Sequence, residues 1–156
     1  MKVNLRRAFL SDLQTTFKWV NHEAVRRFSL NTQAVSFDSH NEWFSEKIKS
    51  EETAFYILEN SDKAALGSIR FDLHENTGKI NYLVDPQYHG MGLAMILVKK
   101  GIAALKEEVP EVRSVYGWVF QSNVASVKIF EKLEFRLVKE KDSMLKFEYQ
   151  ISNHEN

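Results

Sequence analysis

The chain reads as a single α/β domain of the α+β type, a mixed and mostly antiparallel sheet of about seven strands flanked by helices. Three observations lead there. The 156 residues contain no repeat and no Pro/Gly/Ser-rich linker, which fits one core. The apolar pattern has helical spacing in the first third, short alternating runs in the middle, and a mixture of both after Gly92. The middle runs are separated only by turn formers, Asn60-Ser61-Asp62 and Glu75-Asn76-Thr77-Gly78, so they pair as an antiparallel meander. The domain spans 1–151, and 152–156 is expected as a flexible C-terminal tail.

The elements follow in order. Residues 3–9 read as a first strand. Ser11-Asp12-Leu13-Gln14 has the form of a capping box, in which side chains satisfy the first free N–H groups of a helix. Leu13, Phe17 and Val20 then recur at helical spacing. A short helix is expected over 23–28. Ser39-His40-Asn41-Glu42 repeats the capping-box form and predicts a helix through Ile48. Residues 55–58, 66–73 and 79–85 are three strands. Residues 92–108 form a helix with Leu93, Ile96, Leu97, Ala104 and Leu105 inward, stopped by Pro110. A strand over 112–119, a helix over 123–133 and a hairpin over 136–140 and 144–151 complete the order βααα-βββ-α-β-α-ββ.

Composition removes several functions. Lys plus Arg and Asp plus Glu stand at 21 each, which gives no bulk attraction to nucleic acid or to anionic membrane. The absence of cysteine removes disulfides, zinc–thiolate sites and a thiol nucleophile together, and suits a reducing cytosol. No apolar run reaches membrane-spanning length, and the N-terminal residues lack a secretory pattern. The expectation is a cytoplasmic protein without nucleic-acid or membrane partners. His22, His40, His74, His89 and His154 show no paired spacing for a metal, so none is expected.

The most informative segment runs from Tyr82 to Ala94, Tyr-Leu-Val-Asp-Pro-Gln-Tyr-His-Gly-Met-Gly-Leu-Ala. A strand ends at Asp85-Pro86, a two-glycine loop follows, and a helix begins at once. Such a turn aims backbone N–H groups at one spot, where the helix dipole adds partial positive charge. Glycines allow close approach of an anion, because no Cβ intervenes. A diphosphate is the natural ligand. A P-loop would need Gly-Lys-Ser/Thr, and Leu93 follows Gly92. A dinucleotide fingerprint would need a small residue where Met95 stands.

The remaining pattern, Gln/Arg-x-x-Gly-x-Gly/Ala, is met by Gln87, Gly90 and Gly92. It resembles the pyrophosphate motif of the GCN5-related N-acetyltransferase (GNAT) family. A later segment, Asn123 to Phe135, is similar to that family's Asn-x-x-(Ala/Ser)-x-x-(Leu/Ile)-Tyr-x-Lys-x-Gly-Phe. The resemblance spans essentially the whole chain. It implies acetyl transfer from acetyl-CoA to an amine, with acetyl-CoA contacted by Val84, Gln87, Tyr88, His89, Gly90, Met91, Gly92, Leu93, Ala94, Asn123, Ser126, Phe130 and Lys132.

That chemistry needs a neutral amine, donors for the tetrahedral oxyanion and a departing thiolate. The resemblance implies a backbone oxyanion donor on the strand before the loop, where Leu83 and Val84 are the candidates. The family's tyrosine acid is replaced by Phe130, and its glycine by Glu134. Tyr82, Tyr88, Tyr149 and Ser126 are left as possible proton donors. Relatives place a glutamate base where Lys79 lies, so His74 is taken as base, with Asp72, Glu75 and His40 as alternatives.

The acceptor is expected to be a small-molecule amine met by the first third of the chain. Trp19-Val20-Asn21-His22, Val25-Arg26-Arg27-Phe28 and His40-x-x-Trp43-Phe44 partly resemble the branch that acetylates nucleotide-linked amino sugars, as in pseudaminic acid synthesis. That resemblance assigns Trp19, Arg26, Arg27, His40 and Trp43 to the acceptor. Trp19, Trp43 or Phe44 would stack on a base or sugar. Arg26 or Arg27 would pair with a diphosphate. Phe17, Trp43 and Phe44 read equally as core. Alternative functions are N-terminal acetylation of a ribosomal or other protein, and a non-catalytic acyl-CoA-binding regulatory domain. A homodimer is compatible with each.

Overall fold

Strands β1 (Val3–Arg7), β2 (Thr53–Asn60), β3 (Ala65–His74), β4 (Thr77–Val84), β5 (Ser114–Phe120), β6 (Arg136–Lys141) and β7 (Met144–Gln150) build one sheet in this computed structural model. Helices α1 (Leu13–Val20), α2 (Glu23–Arg26) and α3 (Phe37–Lys49) precede β2, while α4 (Leu93–Glu108) and α5 (Val124–Lys132) flank β5. The structure describes residues 1–151, and the expected tail at 152–156 lies outside the described residues. The sheet order is β1-β2-β3-β4-β5-β7-β6, antiparallel throughout except between β4 and β5. The expected fold class and element order are those observed.

The sheet divides two apolar layers, because successive side chains of a strand face opposite sides. Tyr56, Leu58, Ile69, Phe71, Ile80 and Val84 pack with Leu93, Leu97, Val98 and Leu105 of α4 and with Phe130 of α5. Ala8, Phe55 and Ile57 pack on the other side with Trp19 of α1 and Phe44 of α3. Helix α4 lies close on the sheet at Gly101, where a Cβ would stand 2.6 Å from Ile69 Cδ1.

Helix starts differ from the sequence reading. Ser11 does not cap α1. Asp12 bends back instead, its Oδ2 accepting from Phe9 N–H at 2.7 Å while Arg6 grips both carboxylate oxygens at 2.9 and 3.0 Å. The inward face of α1 is Thr16 and Trp19, with Leu13, Phe17 and Val20 only half-buried. Helix α3 begins at Phe37, since Ser36 accepts from Ser39 N–H and so caps it one turn before the box expected at Ser39.

Candidate active site

The site begins where the sheet comes apart. β4 and β5 are paired only at Thr77–Lys79 against Ser114–Tyr116. Beyond Lys79 the strands diverge, and a cavity of about 1100 Å³ opens between them. Tyr82 and Val84 on one side and Trp118 and Phe120 on the other line it, and it continues under α2 and α3.

The β3–β4 ladder decides which amides face this gap. Asp85 N–H donates to Leu66 C=O at 2.8 Å, and the register sets Ser68 opposite Leu83 and Gly67 opposite Val84. Bonded and unbonded pairs alternate in an antiparallel ladder. Leu83 therefore shares the phase of Asp85 and turns its N–H toward β3, whereas Tyr82 and Val84 turn theirs toward the gap. Of the two expected oxyanion donors, Val84 turns its N–H to the gap and Leu83 turns its to β3. Val84 C=O is already occupied, accepting from His89 Nε2–H at 2.9 Å.

After Val84 the chain makes a tight turn at Pro86–Tyr88. It uses three of the amides expected for an anion. Gln87 N–H donates to Asp85 Oδ1 at 3.0 Å, Tyr88 N–H to Asp85 C=O at 2.8 Å and His89 N–H to Pro86 C=O at 3.2 Å. The next three amides, on Gly90, Met91 and Gly92, have no protein acceptor among the described residues. Gly92 caps α4 without a side-chain bond, so the helix also presents its own first free N–H groups. Gly90 and Gly92 have φ of 82° and 76°, a region that disfavours any Cβ. Nothing lies within 4 Å of the place a Cβ would occupy on either. The cradle is open in front and unpaired at its floor, which fits a diphosphate. The Gln87 and Met91 side chains point to solvent and do not line the cavity, while Tyr88, His89, Leu93 and Ala94 do.

Helix α5 forms the opposite lip. Asn123 caps it, Oδ1 accepting from Ser126 N–H at 3.3 Å. Ser126 Oγ meets Tyr82 Oη at 2.5 Å, and both residues line the cavity. Burial raises the Tyr82 pKa above its ordinary value, against the opposing effect of the Ser126 bond, so the phenol keeps its proton. Phe130 is 3% exposed and stacks on Phe147 at 5.3 Å. Its Cζ would stand 3.1 Å from a Cβ on Gly117, so the ring tip is aimed at β5. The ring also borders the cavity, with Ile129. Tyr149 stacks on Phe135, and Lys132 is exposed at the end of α5, both off the cavity wall.

The acceptor half keeps some expected residues and releases others. Trp19 is 2% exposed inside the α1/α3 layer and lines nothing, which corrects its assignment to substrate. His40 touches the cavity but is 3% exposed. Its Nε2 lies 3.0 Å from Thr16 Oγ1, whose own hydrogen goes to the Asp12 or Leu13 carbonyl, so His40 donates and Nε2 carries the proton. Burial lowers its pKa and keeps the imidazole neutral. Arg26 Nη1 donates to the Asn31 and Gln33 carbonyls at 2.8 and 2.7 Å, so this arginine shapes the loop after α2 and is no free clamp. Arg27 is exposed, its Cζ 5.6 Å from the Phe28 ring centroid. Trp43 lines the cavity. His74 sits at the β3–β4 hairpin opposite Thr77, at the far end of β4 from Val84 and off the cavity wall, so it cannot act as the base.

Residues that the sequence reading did not single out complete the wall. Arg70, Lys79 and Asn81 lie beside Trp43 and Ser68. With Arg26 and Arg27 the wall carries four cations, and no Asp or Glu lines it among the described residues.

Comparison with known proteins agrees with this geometry. The family model described as "Acetyltransferase (GNAT) domain" matches residues 2–136. A spermidine N-acetyltransferase from Vibrio cholerae, solved with CoA and spermine, superposes with a TM-score of 0.85 at 15% identity, over 96% of this chain and 95% of that one. A domain from Methanocaldococcus jannaschii gives 0.83 at 18% identity, over 96% and 99%. The V. cholerae enzyme in a dodecameric structure gives 0.80 at 16% identity, over 99% and 97%. No curated protein sequence matches the chain.

Proposed function

Because this chain belongs to the acetyltransferase (GNAT) domain family, it is an acyltransferase, and we propose that it moves an acetyl group from acetyl-CoA to a primary amine on an acceptor that bears negative charge. A nucleotide-linked amino sugar is the first candidate. The unbonded amides of Gly90, Met91 and Gly92 support the coenzyme half of this reading. The observation that carries the acceptor half is the wall itself, with Arg26, Arg27, Arg70 and Lys79 and no carboxylate. A polyamine or a basic peptide is a cation and would meet like charge throughout. The spermidine enzymes named above therefore share a fold with this chain and differ from it in the acceptor proposed.

In this reading the amine nitrogen attacks the acetyl carbonyl carbon, and the oxygen's growing charge meets Val84 N–H in the gap. The C–S bond then breaks, the attacking nitrogen releases its extra proton to solvent, and the thiolate takes a proton from Ser126 Oγ–H, which recovers it from solvent through Tyr82 Oη–H. The acceptor must arrive as a neutral amine. Nearby cations lower an ammonium pKa, so this wall favours the neutral form without a carboxylate base. The pair of hydroxyls also weakens the non-catalytic reading, whose support was Phe130.

The test is a thermal-shift and CoA-release panel of nucleotide amino sugars, spermidine and N-terminal peptides. Acetyl-CoA at about 100 times its Kd should stabilise by about 2.7 kcal/mol. No shift with acetyl-CoA overturns the coenzyme half. Faster turnover of spermidine or a peptide than of any nucleotide amino sugar overturns the acceptor half.

A further inference from the structure

We propose that the face of β3 and β4 beneath Trp43 is a subsite for an oxyanion of the acceptor, phosphate or carboxylate, held by Arg70 Nη1 and Asn81 Nδ2. The proposal rests on the acyl-transfer reading above and adds the residues and the spacing that select the acceptor.

Arg70 and Asn81 are cross-strand partners, so both project from the same face, toward α3. The Arg70 side chain is 19% exposed, and its Cζ lies 4.8 Å from the Trp43 ring centroid. Its Nε and Nη2 donate to Asp72 at 3.1 and 3.2 Å, while Nη1 has no protein partner among the described residues. The guanidinium is thus fixed on one edge and free on the other. Asp72 does not cancel its charge, because Lys47 Nζ shares the same carboxylate at 3.0 Å. Two cations and one anion leave the group net positive, and Lys79 stands opposite Asp72 in the register.

Asn81 supplies the second observation. Only two buried side-chain nitrogen or oxygen atoms lack a partner among the described residues, Asn81 Nδ2 and Arg26 Nε. Both are N–H donors, and both residues line this cavity. A buried donor without an acceptor costs about 1–3 kcal/mol. Asn81 stands opposite Arg70 in the register, so a ligand that brings oxygen acceptors to this cationic wall satisfies the Asn81 Nδ2–H beside the Arg70 guanidinium.

The subsite has a measurable offset. Asn81 precedes Val84 by three residues, about 10 Å at strand rise. The anion must therefore sit well away from the reacting amine. An α-amino acid, whose carboxylate is one carbon from its nitrogen, does not span this gap. A phosphorylated or nucleotide-linked amino sugar does.

The experiment titrates UDP, inorganic pyrophosphate and glutamate into the CoA-saturated protein by calorimetry, with Arg70→Gln, Arg70→Lys, Asn81→Ser and Asn81→Asp alongside. CoA affinity of each variant is measured first and reports folding. UDP should bind the parent, and Arg70→Gln and Asn81→Asp should each weaken it by about tenfold or more, as loss of a charged hydrogen bond does. Arg70→Lys and Asn81→Ser should weaken it less. Binding by pyrophosphate assigns the site to a phosphoryl group, and Arg70-dependent binding by glutamate alone assigns it to a carboxylate. Binding of none of UDP, pyrophosphate and glutamate to the parent, or binding unchanged in Arg70→Gln and Asn81→Asp while CoA still binds, overturns the subsite and leaves the acyl-transfer reading intact. Failure of CoA to bind the parent overturns that reading instead.

Discussion

Tyr82 Oη and Ser126 Oγ meet at 2.5 Å, joining β4 to the first turn of α5 across the widened gap. The pair sits beside Phe130, whose ring lies edge-on to Tyr82 at 6.1 Å. Two hydroxyls thus stand near the position where the family motif carries one. Ser126→Ala and Tyr82→Phe should each lower kcat by about 10²-fold with little change in KM for acetyl-CoA. The double variant should cost no more than the worse single one, because the two act in series. Steady-state kinetics decide this, and an unchanged kcat in both single variants removes the pair from the reaction.

Phe130→Tyr should not restore a family-type acid. The ring tip lies close to the bare backbone of Gly117, and the ring is held by its stack on Phe147. The added hydroxyl should cost about 1–3 kcal/mol of stability as overpacking. Chemical denaturation measures the loss, and a variant as stable as the parent and faster would show that the ring can turn.

Gly92→Ala should cost about 1–2 kcal/mol in stability, the penalty of a left-handed backbone, with no steric clash. CoA affinity should fall further, because the new methyl projects into the open front of the cradle. Gly90→Val should behave alike. Calorimetric Kd values identical to the parent's would mean that the coenzyme phosphates lie elsewhere.

Stability should depend on His40 below neutral pH. Burial lowers its pKa in the folded protein, so the unfolded chain binds the proton more readily. The contribution is present above the unfolded value of about 6.5 and is lost as pH falls below it toward the folded pKa. His40→Gln, which keeps a donor for Thr16, should flatten the melting-temperature profile below about pH 6.5. Glu59, held below the usual carboxylate range chiefly by Arg6, and Asp72, where Arg70 and Lys47 outweigh burial, lose their contributions at lower pH. An unchanged profile in His40→Gln would place the titration on another group.

Element order was legible because the apolar period changes where the chain changes from helix to strand. Gly90 and Gly92 were legible as positions where a turn demands left-handed backbone. The acceptor half was less so. Trp19 and Trp43 both sit at helical spacing among apolar neighbours, and only the docking of α1 and α3 decides that one is core and the other lines the cavity. Arg70 and Asp72 carried a signal, two charges alternating with the buried Ile69 and Phe71, but their cross-strand partners depend on register. Leu83 and Val84 could not be separated from sequence at all, since the phase of a ladder leaves no mark on residue type. The caps of α1 and α3 were misplaced because several Ser and Asp residues compete within one turn.

Three register positions are the whole of the β4–β5 ladder, and beyond them the two sides of the sheet are joined through side chains, Tyr82 to Ser126 and the core around Phe130. The rungs are thus missing where the backbone of Tyr82 and Val84 looks outward. A ligand lying there would meet backbone groups that no neighbouring strand takes up. Acetyl-CoA should therefore slow amide exchange at Tyr82 and Val84, the two positions the sheet leaves without a rung.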